Sequence, residues 1–112
     1  MRVYIAKHTM YVKHLDQIDI TDVWSKTLTI IAKYFQIKKW LGYEFGSGAY
    51  TQALILAESH AVVQTYPELN KVFVTLEFHE EDGKKPIPIY ECLRELNDIF
   101  KALEYKSSVE ER

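Results

Sequence analysis

The sequence predicts a two-layer α+β sandwich, in which an antiparallel sheet carries helices on one face. Short segments rich in β-branched and aromatic residues are separated by turn residues, and two longer segments carry apolar residues at helical spacing. Their order along the chain is strand, helix, strand, strand, short helix, strand, helix, which is typical of this fold class. No repeat or linker divides the chain, so we predict one domain at 1–106 and a frayed tail at 107–112.

The first half of the chain predicts a strand, a helix and a hairpin. Val3–Val12 is rich in β-branched and aromatic residues and contains no glycine or proline, as expected of a half-buried strand. Asp19 or Thr21 can cap the following amphipathic helix. Ile37–Phe45 then precedes a glycine-rich turn that predicts a hairpin with the next strand. The apolar positions of the helix are Val23, Trp24, Thr27, Leu28, Ile31, Tyr34 and Phe35.

The second half predicts two further strands and a carboxy-terminal helix. Apolar residues occupy both alternating faces of Tyr50–Ala57. We therefore expect a central strand with helices on one side and a second subunit on the other. His60–Thr65 is interpreted as a short helical turn before the turn residue Pro67. Lys71–Phe78 alternates cleanly between apolar and polar faces. From Ile89, a helix is indicated by Tyr90, Leu93, Leu96, Phe100 and Leu103.

Composition excludes several classes of function. The 112 residues carry a formal net charge of -2, which gives no electrostatic footprint for nucleic acid. No run approaches the length of apolar sequence that a membrane span needs, and the amino terminus lacks a signal-peptide pattern, so we expect a cytoplasmic protein without a membrane partner. The single Cys92 excludes an internal disulfide and a cysteine-based zinc site.

The most informative stretch is Ala57-Glu58-Ser59-His60, followed after an interval by Thr65-Tyr66-Pro67-Glu68. Together with the apolar strand before it, this pattern resembles the small prokaryotic S-adenosylmethionine decarboxylases, and the resemblance extends over nearly the whole chain. It implies that the Ser59 hydroxyl attacks the preceding carbonyl, that an ester forms, and that elimination leaves a pyruvoyl group on the downstream fragment. Such a group is an electron sink for decarboxylation. The resemblance also implies a homodimer with active sites on the helix-free face of the sheet.

The resemblance assigns further roles residue by residue. Glu68 stands where the family grips the ribose hydroxyls, the alternative being that Pro67-Glu68 only starts a turn. Thr51 is the counterpart of a hydroxyl that stabilises the ester. His79 stands at the position of the family's proton-donating cysteine, and histidine is a competent general acid; the alternative is that His79 is only a polar residue at an exposed strand end. Tyr66 and Phe73 are candidates for stacking on a purine, although aromatic residues at such spacings more often belong to a core.

One departure leaves the function open. Gln64 stands where the family carries the histidine that assists elimination, and an amide cannot take a proton near neutral pH. The predicted enzyme is therefore an S-adenosylmethionine decarboxylase of spermidine synthesis, with a decarboxylase of another amino acid such as ornithine or arginine as a variant. The alternative is a non-processing homologue that acts as a binding or regulatory subunit. No metal site is assigned, because His8, His14 and His60 lack ligand spacing.

Overall fold

A computed structural model describes all residues from Met1 to Arg112 and confirms the predicted fold class. Six antiparallel strands form one sheet, two α-helices cover one of its faces, and the other face carries no helix. The strands lie in the order β2-β3-β4-β5-β1-β6. The elements are β1 (Arg2–Tyr11), α1 (Ile20–Tyr34), β2 (Ile37–Gly46), β3 (Ala49–Leu56), β4 (Ser59–Tyr66), β5 (Lys71–Glu80), α2 (Ile89–Phe100) and β6 (Glu104–Glu111), with short 3-10 turns at Leu15–Gln17 and Pro67–Leu69.

The core lies between the sheet and the two helices. In β5 the apolar residues of one face are buried and the intervening residues are not, which confirms the predicted alternation. Asp19 is the N-cap of α1, and its carboxylate accepts a hydrogen bond from the backbone amide of Asp22 at 3.1 Å. The hairpin between β2 and β3 turns at Gly48, whose φ of +80° favours glycine. A Cβ there would meet the carbonyl oxygen of Leu15 at 1.9 Å, so no other residue fits.

Two sequence-based predictions about secondary structure are wrong. His60–Thr65 is part of strand β4 rather than a helical turn, because its side chains alternate between the core and the helix-free face. The residues predicted as a frayed tail at 107–112 lie largely in β6, which pairs with β1 along its length. Strand β3 lies inside the sheet between β2 and β4, and Ile55 on its helix-free face is 57% exposed in the single chain, so cover by a second subunit stays a prediction.

The carboxy-terminal helix is placed correctly, but two of its predicted core positions are not buried. Leu93, Leu96 and Phe100 face the core as predicted, whereas Tyr90 is exposed and Leu103 lies beyond the end of the helix, also exposed. The interior positions that periodicity missed are Ile89, Cys92 and Asn97. No helix in the structure has the length and apolar character needed to cross a membrane.

Candidate functional site

The Glu58–Ser59 bond lies at a tight turn between two paired strands. Leu56 and Ser59 are the last pair of the β3–β4 ladder, so Ala57 and Glu58 alone form the turn. Glu58 has a φ of 64°, in the left-handed region that non-glycine residues seldom adopt. A residue held in this conformation stores backbone strain of order 1–3 kcal/mol. The bond predicted to cleave therefore joins a strained, exposed residue to the first residue of β4, at the end of the ladder.

Ser59 lines a cavity of about 230 Å³ at this end of the sheet. By strand alternation its side chain lies on the same face as the buried residues Ala61 and Val63, towards the helices. The cavity is formed where the end of α1, the β3–β4 turn and the loop after β5 meet. Its other lining residues are Tyr34, Phe35, Gln36, Ala57, His79, Glu80, Glu81, Lys84, Lys85 and Ile87.

His79 is the predicted site residue that the fold brings to the cleavage bond. Its Nε2 lies 3.0 Å from Oε2 of Glu58, and the imidazole side chain is 19% exposed. The imidazole and the carboxylate are therefore in ion-pair range at the predicted cleavage bond. His79 also lines a second cavity, of about 620 Å³, together with Glu58, Glu77 and Arg112.

Charged groups that sequence reasoning did not assign to the site lie around His79. Glu81 is the residue after β5, and one of its carboxylate oxygens lies with the ligand atoms of Glu58 and His79, all within 4.8 Å of one another. Lys84 contacts Glu81 at 2.8 Å and holds the pKa of the Glu81 carboxyl below its usual range. Only the position of Glu81 two residues after His79 could have indicated this arrangement.

A neighbouring histidine–carboxylate pair lies one step along the strands on the helix-free face. His60 Nδ1 is 3.3 Å from Glu77, and Arg112 contacts the other oxygen of Glu77 at 2.5 Å. Arg112 can reach Glu77 because β6 is an ordered strand that ends beside β1. The backbone amide of Arg112 donates a hydrogen bond to the Val3 carbonyl oxygen. Because residues 107–112 were predicted to form a frayed tail, Arg112 was not among the predicted site residues.

The remaining predicted residues form a second group at the other end of the strands. Thr51 pairs with Gln64, and Gln64 pairs with Phe73, so the three side chains form one row on the helix-free face. Tyr66 packs edge-on against Phe73 with ring centroids 5.4 Å apart. A cavity of about 280 Å³ is lined by Thr51, Gln64, Tyr66 and, from the 3-10 turn, Glu68.

The two groups are too far apart to act on one another within a single chain. Ser59 and Gln64 are five residues apart along β4, which corresponds to roughly 16 Å. Their side chains also lie on opposite faces of the strand, because five is an odd number of residues. We refer to Glu58, Ser59 and His79 as the cleavage group, and to Thr51, Gln64, Tyr66, Glu68 and Phe73 as the distal group.

Comparison with solved structures identifies a protein of the same fold. The crystal structure of the adenosylmethionine decarboxylase from Aquifex aeolicus VF5 superposes on this chain with a TM-score of 0.75. The chain has that fold. The match covers 100% of this chain and 90% of the Aquifex chain, at 20% sequence identity. No protein-family model matches the sequence, and neither does any curated protein.

Proposed function

We propose that this protein is a self-processing, pyruvoyl-dependent decarboxylase that acts on S-adenosylmethionine. The observation that carries the proposal is the place of the Glu58–Ser59 bond. It lies in a strained, exposed turn beside His79, on a fold shared with an adenosylmethionine decarboxylase. The predicted cleavage sequence and a turn suited to cleavage thus coincide at one bond.

The architecture is compatible with a cut at this bond. Cleavage would open only the two-residue turn, while the ladder from Leu56–Ser59 to Thr51–Gln64 holds the strands on either side. Strand β4 is also paired with β5, and β3 with β2, so neither new end would be released from the sheet. The two fragments would therefore remain one folded unit after processing.

The residues of the cleavage group suit the chemistry that processing and turnover require. Ser59 supplies the hydroxyl for attack on the Glu58 carbonyl and, after elimination, the atoms of the pyruvoyl group. That group supplies an electron sink for loss of carbon dioxide. His79, whose Nε2 lies 3.0 Å from Glu58, is positioned to hold and deliver a proton at this end of the sheet.

We further propose that a homodimer completes the site. The distal group lies roughly 16 Å from Ser59 along the same strand, so its Thr51 and Glu68 can serve the cleavage group only of a second chain. The helix-free face offers an apolar surface for such pairing, at its β2–β3 end. Its exposed large side chains are Leu41, Tyr43, Phe45 and Ile55. An antiparallel arrangement of two such faces would bring the distal group of one chain towards His79 of the other, because His79 also lies on the helix-free face.

The primary test is the intact mass of the purified protein under denaturing conditions. We expect two fragments, 1–58 and 59–112, with the second lighter by one ammonia than the serine-terminated peptide. Ser59→Ala is the matched control, because it removes the attacking hydroxyl and should leave one chain. A single uncleaved chain in the unaltered protein would refute pyruvoyl-dependent catalysis. Release of carbon dioxide from S-adenosylmethionine, ornithine and arginine then identifies the substrate.

Gln64 favours a second candidate function, that of a non-processing binding or regulatory subunit. Elimination requires removal of a proton, and the Gln64 amide cannot accept one near neutral pH. If Gln64→His converts an uncleaved protein into a cleaved one, the second candidate is supported. If the unaltered chain already cleaves, another group performs the proton transfer and the second candidate fails.

The dimer has a test of its own. Leu41→Lys introduces a charge into the exposed apolar surface, and we expect light scattering to report a shift from dimer towards monomer. Leu103→Lys is the control, because Leu103 is also exposed, at 61% against 72% for Leu41, but lies outside that surface. Equal behaviour of the two variants would contradict the proposed interface.

A further inference from the structure

We propose that Glu58, His79 and Glu81 form a binding site for a transition-metal cation such as Zn²⁺, with one coordination position left to water. The three side chains come from the β3–β4 turn, the end of β5 and the residue after β5. Each offers one ligand atom, and these atoms lie within 4.8 Å of one another. This inference does not depend on the proposed decarboxylase activity.

The spacing of the ligand atoms suits a small cation. Nitrogen and oxygen ligands bind Zn²⁺ at about 2.0–2.2 Å, so adjacent ligands in a tetrahedral site are roughly 3.4 Å apart. His79 and Glu58 are already 3.0 Å apart, close to the separation of two adjacent ligands. The Glu81 side chain is 45% exposed and so has room to rotate towards the other two ligand atoms.

The charges around His79 independently favour a cation. Two carboxylates approach one imidazole, and the ammonium of Lys84 contacts one of them, Glu81, at 2.8 Å. That ion pair is largely exposed, and exposed pairs contribute little stability, so a metal can displace the lysine from Glu81. Imidazole selects zinc, cobalt, nickel or copper over magnesium and calcium, which prefer oxygen ligands alone.

The neighbouring His60–Glu77 pair is a histidine–carboxylate contact that already has a cation, the Arg112 guanidinium. There the second oxygen of Glu77 is occupied by the Arg112 guanidinium at 2.5 Å, and no second carboxylate joins the pair. The two pairs share the same residue types and the same end of the sheet. They differ in the third member, which is a carboxylate beside His79 and a guanidinium beside His60.

The test is calorimetric titration of the full-length protein with Zn²⁺. A parallel titration with Co²⁺ is monitored by the visible absorption of the bound ion, and both are done above pH 7, where imidazole is neutral. Ser59→Ala serves as the parent, so that the chain stays whole whether or not the natural bond cleaves. We expect one equivalent of metal, with affinity lowered by at least about tenfold in His79→Ala and in Glu81→Gln. His60→Ala is the matched control and should bind as the parent does.

The proposal is overturned if the parent binds no equivalent of metal, or if His79→Ala binds as tightly as the parent. It is also overturned if His60→Ala loses as much affinity as His79→Ala, because binding would then follow the wrong histidine. Circular dichroism of each variant establishes that the chain is folded before titration. Should His79→Ala fail to fold, Glu81→Gln decides, since Glu81 lies on an exposed loop.

Discussion

Acidification should destabilise this fold through His8, which is 1% exposed and joins three elements. Its Nε2 lies 2.6 Å from Oδ1 of Asn97 on α2, and its Nδ1 lies 2.5 Å from Oγ of Ser107 on β6. An amide oxygen only accepts hydrogen bonds, so the neutral ring carries its proton on Nε2 and accepts from the serine hydroxyl at Nδ1. The network therefore suits neutral imidazole.

Burial lowers the pKa of His8 below the ordinary value of 6.5, although its hydrogen bond to Asn97 partly opposes the shift. The unfolded chain then binds a proton that the folded chain does not, so stability is fully present above pH 6.5 and falls as pH drops towards the folded pKa. One such proton changes the free energy of unfolding by at most about 1.4 kcal/mol between pH 7.5 and 5.5.

Urea unfolding of the unaltered protein and of His8→Gln across that pH range measures the effect. Glutamine keeps hydrogen-bonding capacity but does not titrate, so subtracting the two curves removes the contribution of every other group. Ser107→Ala is the companion variant, which should lose about 1 kcal/mol at all pH values while keeping the pH slope. The reasoning is refuted if His8→Gln and the unaltered protein lose stability equally on acidification.

Three further predictions concern packing and reactivity. Leu76→Ala should lower the free energy of unfolding by about 2–5 kcal/mol, measured by urea unfolding, because Leu76 is fully buried; Thr75→Ala on the exposed side of β5 should cost little. Gly42→Ala should destabilise by about 1–3 kcal/mol in the same assay, since its Cβ would lie 2.5 Å from the Trp24 ring. Cys92 should react with a thiol reagent only after unfolding, because burial raises its pKa to about 12; modification of the native protein at pH 8 would contradict this.

The local sequence pattern identified the elements with complete hydrophobic periodicity. It missed the strands that are specified by pairing with other strands rather than by their own pattern. Strand β5 and helix α1 have uninterrupted apolar faces and were predicted within a few residues. Strand β4 was not, because His60 and Gln64 on the helix-free face and the buried polar Thr65 obscure its alternation. Strand β6 is polar and lies at an edge, and its partner β1 is about 100 residues away, so no local signal specifies it.

The same reasoning explains which part of the candidate site could be predicted. The turn at Glu58 and Ser59 follows directly from an apolar strand that ends there, and local sequence is sufficient to place it. The contact of His79 with Glu58 was not predictable from spacing, because it depends on the register of two long-range strand pairs. Glu81 reaches the site because it follows β5, whereas Arg112 reaches Glu77 through the pairing of β6 with β1, which the predicted frayed tail did not include.

The misassigned secondary structure of residues 60–65 changes the functional argument itself. In a helical turn, five residues rise only about 7.5 Å, and Gln64 would lie within reach of Ser59 in the same chain. In the observed strand they are roughly 16 Å apart and face opposite sides. Within one chain a substitution at Gln64 is therefore too remote to act on Ser59, and an effect on cleavage would require the proposed dimer. The effect of Gln64→His on cleavage should accordingly disappear when Leu41→Lys prevents dimerisation, whereas chemistry within one chain would leave it unchanged.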